Sequence, residues 1–197
     1  MQRIISTLCL LMLVLILGAC GTSNDNSNED QATETSSLED IQAEKAGESK
    51  EVHVEMINTE GAKIGVATLK QEADGVNIAI DVDGLSKGTH GFHIHEKGVC
   101  ELPDFESAGD HFNPTDMKHG FENPEGPHAG DLPNLEVGED GKVQESFVNE
   151  MVTLKKGEPN SLLHEGGTSL VIHADPDDNV SQPSGNSGAR IACGVIK

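Results

Sequence analysis

Two histidines one residue apart, His93 and His95, stand in the segment GFHIHEKGVC, which runs from Gly91 to Cys100. Side chains two residues apart on a β-strand point to the same side, so both imidazoles can reach one metal ion. The pattern alone is weak, because polar residues on the solvent-facing side of an ordinary strand look the same. The segment therefore indicates a metal site only if partners exist elsewhere in the chain.

Such partners follow in one polar stretch, DHFNPTDMKHGFENPEGPHAGD, which contains His111, His119, His128 and Asp131. Three imidazoles and a carboxylate make a complete tetrahedral set for zinc, and a set without an open position is typical of a structural site. Metal binding can also order a stretch this poor in apolar residues. The stretch predicts a zinc site.

A further histidine, His173, ends the apolar run LVIH. With His93, His95 and one histidine of the polar stretch it would make an all-imidazole site, which suits Cu(II). Six of the nine histidines fall between His90 and His128. Solvated polar residues would have to cluster there by coincidence, so we favour metal binding.

Five segments resemble the signature segments of the copper-zinc superoxide dismutase family, in that family's order and close to its spacing. They are GFHIHE, SAGDHFNP, KHG, HAGDLPNL and GNSGARIACGVI, and the resemblance covers about residues 51–197. It implies copper and zinc as cofactors, with copper ligands His93, His95, His111 and His173 and zinc ligands His111, His119, His128 and Asp131. His111 is in both sets, because an imidazole that loses both ring protons presents one nitrogen to each ion.

The resemblance also assigns roles outside the ligand sets. Asp177 matches the carboxylate that links a copper histidine to a zinc histidine. Asp175 and Asp178 lie so close to it in the sequence that either could be the linking residue instead. His90 is expected to hydrogen-bond the backbone. Two histidines match no part of the pattern and are interpreted as surface residues: His53 and His164.

The activity that the resemblance implies is the dismutation of superoxide to oxygen and hydrogen peroxide, with copper cycling between Cu(II) and Cu(I) and zinc in a structural role. On reduction, His111 is expected to leave copper, take a proton on the freed nitrogen and deliver it to the second superoxide. Arg190 matches the arginine whose guanidinium hydrogen-bonds the anion beside copper. The alternative for Arg190 is a surface ion pair.

The charge of the chain bears on its partners. A formal net charge of -21 excludes nucleic acid, whose phosphates would be repelled. The substrate superoxide is also an anion, so a local positive potential must outweigh the global field at the copper site. Since the loop before Arg190, ADPDDNVSQPSGNSGA, contains no lysine, we predict weaker electrostatic steering than in members of the family that carry charged residues there.

The elements that position these residues are short strands. Apolar residues alternate with polar ones, as in Val76, Ile78, Ile80 and Val82, and turn sequences such as ADG separate the runs. We predict an all-β fold, an eight-stranded antiparallel Greek-key sandwich or barrel. Two stretches, residues 96–134 and 175–189, are too long and polar for hairpin turns and are predicted as functional loops.

The N-terminal part of the chain reads as an export signal. Residues 1–19 combine one arginine with an apolar run, and the sequence LGAC at residues 17–20 resembles the lipobox of bacterial lipoproteins. We predict a signal peptide at 1–19, lipidation of Cys20, a disordered acidic tether at 20–50 and a dismutase-like domain at 51–197. The predicted location is the outer face of a bacterial cell membrane, with a defensive role against external superoxide.

The cysteines agree with export. Once Cys9 leaves with the signal and Cys20 carries lipid, only Cys100 and Cys193 remain, an even pair in an oxidising compartment. We predict that they form a disulfide.

Two other functions remain open from the sequence. The fold could bind copper or zinc without turnover, although every ligand position is filled. A purely structural or adhesive surface lipoprotein would give no reason for a bridging histidine and an arginine beside it. The sequence leaves a homodimer open as well.

Overall fold

The computed structural model describes residues 50–197. The predicted signal peptide, the lipidated Cys20 and the tether up to residue 49 lie outside the described residues. Within residues 50–197, no helix has the length and apolar character needed to cross a membrane.

Nine antiparallel strands form two sheets. The strands are β1 (Glu51–Asn58), β2 (Lys63–Gln71), β3 (Val76–Val82), β4 (Gly88–His90), β5 (Phe92–His95), β6 (Leu135–Val137), β7 (Val143–Asn149), β8 (Thr168–His173) and β9 (Arg190–Ile196), with one 3₁₀ turn at Glu106–Ala108. The order is β5-β8-β9-β1-β2-β3-β7 in the large sheet, and β4 pairs with β6 in the small one. Because β3 pairs with β7 and β5 with β8, the chain crosses over between distant strands, as in a Greek key.

The predicted all-β antiparallel fold is confirmed, but the strand count of eight is not. Residues 88–95 form two strands in different sheets, β4 and β5, separated at Gly91. A Cβ atom at Gly91 would lie 2.8 Å from the Ser187 side chain, so this point of close approach needs glycine. Residues 135–137 add the unpredicted strand β6.

Residues 151–154, the segment MVTL, do not form a strand. Thr153 makes only an isolated bridge with Ser161. The side-chain oxygen of Gln71 instead accepts hydrogen bonds from the Thr153 hydroxyl (2.8 Å) and the Leu154 backbone N–H (2.7 Å). A side-chain acceptor of this kind gives hydrogen-bond partners to donors of a segment that has no neighbouring strand.

The core forms on the side of the strands that the alternation predicted. Val76, Ile78, Ile80 and Val82 of β3 are at most 1% exposed. Each such side chain contributes about 1.5–3 kcal/mol on burial, so this core supplies a rigid support for the polar loops.

The first long loop is fastened to the free edge of β5. The Ile94 N–H donates to Gly130 O and Ile94 O accepts from the Phe112 N–H, both at 2.8 Å. On its other edge β5 pairs with β8, where His93 lies opposite Val171 and His95 opposite Ser169. The two loop segments and the sheet therefore enclose the two histidines of β5.

Candidate metal centre

The first group of ligand-type side chains consists of four histidines from three parts of the chain. One ring nitrogen from each lies within 4.8 Å of the others. The group comprises His93, His95, His111 and His173. All four are buried, with exposures of 6% or less.

The second group lies beside the first and shares His111 with it. Its members, His111, His119, His128 and Asp131, also place one ligand atom each within 4.8 Å of one another. Asp131 is central, since its Oδ1 lies 2.9 Å from His111 Nδ1 and 3.1 Å from His119 Nδ1. Its Oδ2 accepts backbone N–H groups from Gly120 (2.9 Å) and His128 (3.0 Å), which fixes the carboxylate in place.

Three buried ring nitrogens in these groups make no hydrogen bond: His93 Nδ1, His111 Nε2 and His128 Nδ1. His128 Nδ1 lies 3.3 Å from Asp131 Oδ1, a charge contact without hydrogen-bond geometry. An unpaired buried polar atom costs about 1–3 kcal/mol and is rare in folded proteins. Nitrogens left free within a ligand-type cluster are what metal ions require. The four-imidazole group suits copper and the three-imidazole, one-carboxylate group suits zinc, so the residues present fit both ions.

In the four-histidine group, hydrogen bonds to backbone carbonyls determine which ring nitrogen of His95 and His173 is free to bind a metal ion. His95 Nδ1 donates to Gly109 O (2.9 Å) and His173 Nδ1 donates to Gly188 O (3.3 Å). A carbonyl can only accept, so both Nδ1 atoms carry the proton and both Nε2 atoms present a lone pair. Partners of this kind commonly orient metal-binding histidines.

Asp177 connects the two groups. Its Oδ2 lies 2.7 Å from His93 Nε2 and its Oδ1 lies 3.0 Å from His119 Nε2. The side chain of Asn134 holds the Asp177 backbone through two hydrogen bonds of 2.9 Å. By contrast, Asp178 is exposed and accepts hydrogen bonds from Val180 and Ser181, so the structure places Asp177 in the linking position.

Burial sets the protonation of the four-histidine group. Desolvation lowers the pKa of His111 to about 4 and that of His173 to about 3, and it holds the pKa of His95 well below its usual range. These imidazoles are therefore neutral at pH 7, which is the form that binds metals.

The zinc-type group has the opposite electrostatics. Burial opposes the charge on His119, but the hydrogen bonds that its ring donates to Asp131 and Asp177 outweigh this effect and raise the His119 pKa to about 9. Despite its burial, Asp131 has a pKa far below the usual carboxyl range, because its histidine partners stabilise the charged form. A buried carboxylate thus stays ionised at the centre of the group.

Arg190 lies at the mouth of the four-histidine group. Its Nη1 donates to Phe105 O and its Nη2 to Gly109 O, both at 2.7 Å. Arg190 lines a cavity of about 400 Å³ together with His95, His111 and His173. Three residues away, Cys193 is joined to Cys100 by a disulfide with a Cα–Cα distance of 5.8 Å, which ties the Arg190 strand to the first loop.

The remaining histidines lie outside both groups. His90 is buried, with ring nitrogens 2.7 Å from His173 O and 2.9 Å from Ser86 O, a backbone-bonding role. His53 is exposed beside Glu51. His164 is only half exposed, because it stacks on Phe112 with ring centroids 5.7 Å apart.

Sequence reasoning missed one supporting side chain. The Gln182 side chain accepts the His119 N–H and donates to His119 O, both at 2.9 Å, and so clamps the first loop to the second. Nothing in the local sequence signals this contact, since an exposed glutamine in a polar loop has no distinguishing pattern. Asn134, in contrast, lies within the quoted segment HAGDLPNL.

An antiparallel β fold with two adjoining ligand groups that share one imidazole defines a two-metal β metalloprotein. The family model described as copper/zinc superoxide dismutase matches residues 63–196, and the chain belongs to this family. It is therefore an oxidoreductase of a family that uses copper and zinc.

Relatives support the same assignment. The chain is 56% identical over 146 residues to superoxide dismutase [Cu-Zn] 2 of Aquifex aeolicus, covering 74% of this chain and 85% of the relative. It is 42% identical over 140 residues to superoxide dismutase [Cu-Zn] of Caulobacter vibrioides, covering 70% and 80%. A crystal structure of a SOD-like protein from Bacillus subtilis matches with a TM-score of 0.72 and 49% identity, covering 74% of this chain and 97% of the other.

Proposed function

We propose that this chain dismutates superoxide with a copper ion held by the four-histidine group and a zinc ion held by the group around Asp131. The observation that carries the proposal is His111. Its Nδ1 lies 2.9 Å from Asp131 Oδ1, whereas its Nε2 has no hydrogen-bond partner, and His111 is the residue that the two groups share. One imidazole can thus serve both ions.

The bound metals supply one-electron chemistry between Cu(II) and Cu(I) at one group and a fixed positive charge at the other. The protein residues bind the substrate and move the proton. Arg190 is held at the cavity by two carbonyl groups, and its remaining N–H donors can hydrogen-bond a small anion there. His111 lines the same cavity, and its Nε2 has no hydrogen-bond partner, so this nitrogen can carry a proton to the anion.

The reaction consumes two superoxide ions and two protons and gives one oxygen and one hydrogen peroxide. One proton comes through His111 Nε2, whose ring keeps its position because Nδ1 is held at the Asp131 side. The other protein contribution is the neutrality of His95 and His173, whose pKa values are lowered by burial, so protons do not compete for their Nε2 atoms at pH 7.

The test is a metal and activity measurement on the purified full chain. We expect copper and zinc in equal amounts after loading, and superoxide consumption that appears only after copper is added. Arg190→Lys keeps the positive charge but loses the planar fork, and should lower kcat/KM about 10-fold or more while leaving both metals bound. Copper binding without superoxide consumption would instead support the alternative of a metal-binding protein without turnover.

We further propose that the enzyme acts outside the cell, attached by lipid at Cys20. Support comes from the LGAC sequence at residues 17–20 and from the Cys100–Cys193 disulfide, which is typical of exported proteins. Fractionation of cells that express the full chain tests this. The protein should partition with membranes, and Cys20→Ser should release it; equal membrane association of both forms would refute lipidation.

A further inference from the structure

The cavity of the four-histidine group adjoins a second hollow on the protein surface. The outer hollow, of about 640 Å³, is lined by Asp104 and Glu106 among others. It shares Asp110, Gly188 and Arg190 with the inner cavity that contains the histidines. The two spaces therefore meet along a common wall, and a small ion that approaches the histidines from the outer side comes past these residues.

Carboxylates dominate this approach. Asp104, Glu106 and Asp110 are exposed at the outer hollow, and Glu96 lines the inner cavity. Arg190 is the one lysine or arginine that lines either space within the described residues. Glu96 is paired with Lys97, whose Nζ lies 3.2 Å from Glu96 Oε1. The other three carboxylates against one guanidinium make the local potential negative, in the same sense as the net charge of -21 of the whole chain.

The inner cavity, to which this approach leads, contains a nitrogen that can bind a cation. His111, which is 6% exposed, lines the inner cavity with Asp110, and its Nε2 has no hydrogen-bond partner. A free imidazole lone pair binds a metal cation, whereas it can donate to an anion only after it has taken up a proton. An acidic entrance that leads to an unpaired buried nitrogen suits the arrival of a metal ion better than the arrival of superoxide.

We propose that Asp104, Glu106 and Asp110 form a cation-collecting rim that speeds the binding of copper ion to the four-histidine group and slows the arrival of superoxide. This inference rests on the proposed function of that group. Fixed charges at the mouth of a cleft change association rates by about 10- to 1000-fold, with opposite signs for cations and anions. The rim would favour metal capture at the expense of turnover.

The rim predicts opposite salt effects on two measurable rates. The first is the rate at which the full chain, loaded with zinc only, takes up aqueous Cu²⁺, followed by the copper(II) absorption in stopped flow. The second is the rate constant for superoxide decay with the copper-loaded protein. Added salt should slow copper uptake and accelerate superoxide decay, because the Debye length falls from about 30 Å at 0.01 M to about 3 Å at 1 M.

The variant D104N/E106Q/D110N removes the rim and keeps the side-chain sizes. Asn at residue 104 also keeps the oxygen that accepts the Glu106 backbone N–H at 3.1 Å. At about 0.01 M ionic strength we expect copper uptake about tenfold slower than in the unchanged protein, together with faster superoxide decay. Both differences should vanish at about 1 M salt.

A matched control removes the same charge elsewhere. Glu72, Asp74 and Glu150 are exposed acids near the β2–β3 turn and line neither hollow. E72Q/D74N/E150Q should differ from the unchanged protein by less than about twofold in both rates. Equal slowing of copper uptake in the two triple variants, or no slowing in either, would refute the proposed role of the rim.

Failure of the proposed function gives a different result. Copper uptake that depends on the rim, but without superoxide decay, would refute the dismutase function and leave the rim standing. Failure of the zinc-loaded protein to bind Cu²⁺ at the four-histidine group would refute both.

Discussion

Replacing Asp177 with asparagine tests whether one carboxylate holds both ligand groups in position. The Asp177 side chain is 1% exposed, and its two oxygens lie 2.7 Å from His93 Nε2 and 3.0 Å from His119 Nε2. Asparagine has a single carbonyl oxygen, so it can accept from one imidazole only. Its NH₂ group faces the other imidazole, and two donors then oppose each other.

The magnitude follows from these contacts. A hydrogen bond to a charged acceptor contributes about 1.5–3 kcal/mol net, and 1.4 kcal/mol corresponds to about tenfold in affinity. The histidine that loses its acceptor should weaken its metal about 100-fold. The other histidine keeps an acceptor without the negative charge, so its metal should bind about tenfold more weakly, within the range seen when supporting residues of metal ligands are changed.

The assay is an equilibrium competition of each metal against a chelator of known affinity, with zinc and copper measured separately on Asp177→Asn. Asp178→Asn is the matched control, since Asp178 is exposed and its hydrogen bonds go to Val180, Ser181 and Asn186. The control should keep both affinities. If Asp177→Asn binds both metals within about threefold of the unchanged protein, the linking role of Asp177 is wrong.

Three further predictions concern the shared ligand, proton release and the disulfide. His111→Ala should lower the content of both metals, whereas His173→Ala should lose copper and keep zinc. Metal analysis and a superoxide assay test this, and a His173→Ala protein that is copper-loaded and active would contradict the assigned copper set. The raised pKa of His119, about 9, stabilises the metal-free fold below about pH 6.5 and loses this effect as pH rises through about 9. Zinc binding at pH 7.5 should therefore release about one proton from His119, measurable by calorimetry in buffers of different ionisation enthalpy. Replacement of both Cys100 and Cys193 by serine should lower the free energy of unfolding by about 4–5 kcal/mol in the chain-entropy model, since the bond closes a loop with a sequence separation of 93, and denaturant titration of the metal-free protein measures this.

The strands could be predicted wherever one side of a strand is apolar. Alternation along β3 indicated the buried residues Ile78 and Ile80, which are at most 1% exposed. The division of residues 88–95 into two strands could not be predicted this way. It depends on the approach of Gly91 to Ser187, a contact between residues far apart in the sequence.

The types of the ligands could be predicted, but not their geometry. Histidines in a polar loop indicated metal binding, and the resemblance divided them into two groups. The loop path depends on backbone hydrogen bonds at Ile94, Phe112 and Gly130. The backbones of Ile94 and Phe112 could make them with other side chains, whereas a Cβ atom at Gly130 would lie 2.3 Å from Ile94 O, so that position needs glycine. The choice between Nδ1 and Nε2 at His95 depends on the carbonyl of Gly109, and no side chain encodes that contact.

The two parts of the proposed centre depend on a single loop, which explains how so polar a segment holds ligands in fixed positions. Near its start the disulfide ties Cys100 to β9. In its middle the guanidinium of Arg190 binds the carbonyls of Phe105 and Gly109, and Gly109 in turn orients His95. Towards its end Asp131 collects three histidines around one carboxylate. Arg190 both holds this loop and lines the cavity. The hydrogen bonds that position the Arg190 guanidinium beside the copper group therefore also position the Gly109 carbonyl that orients His95. Substrate binding and metal geometry are therefore coupled through the loop backbone.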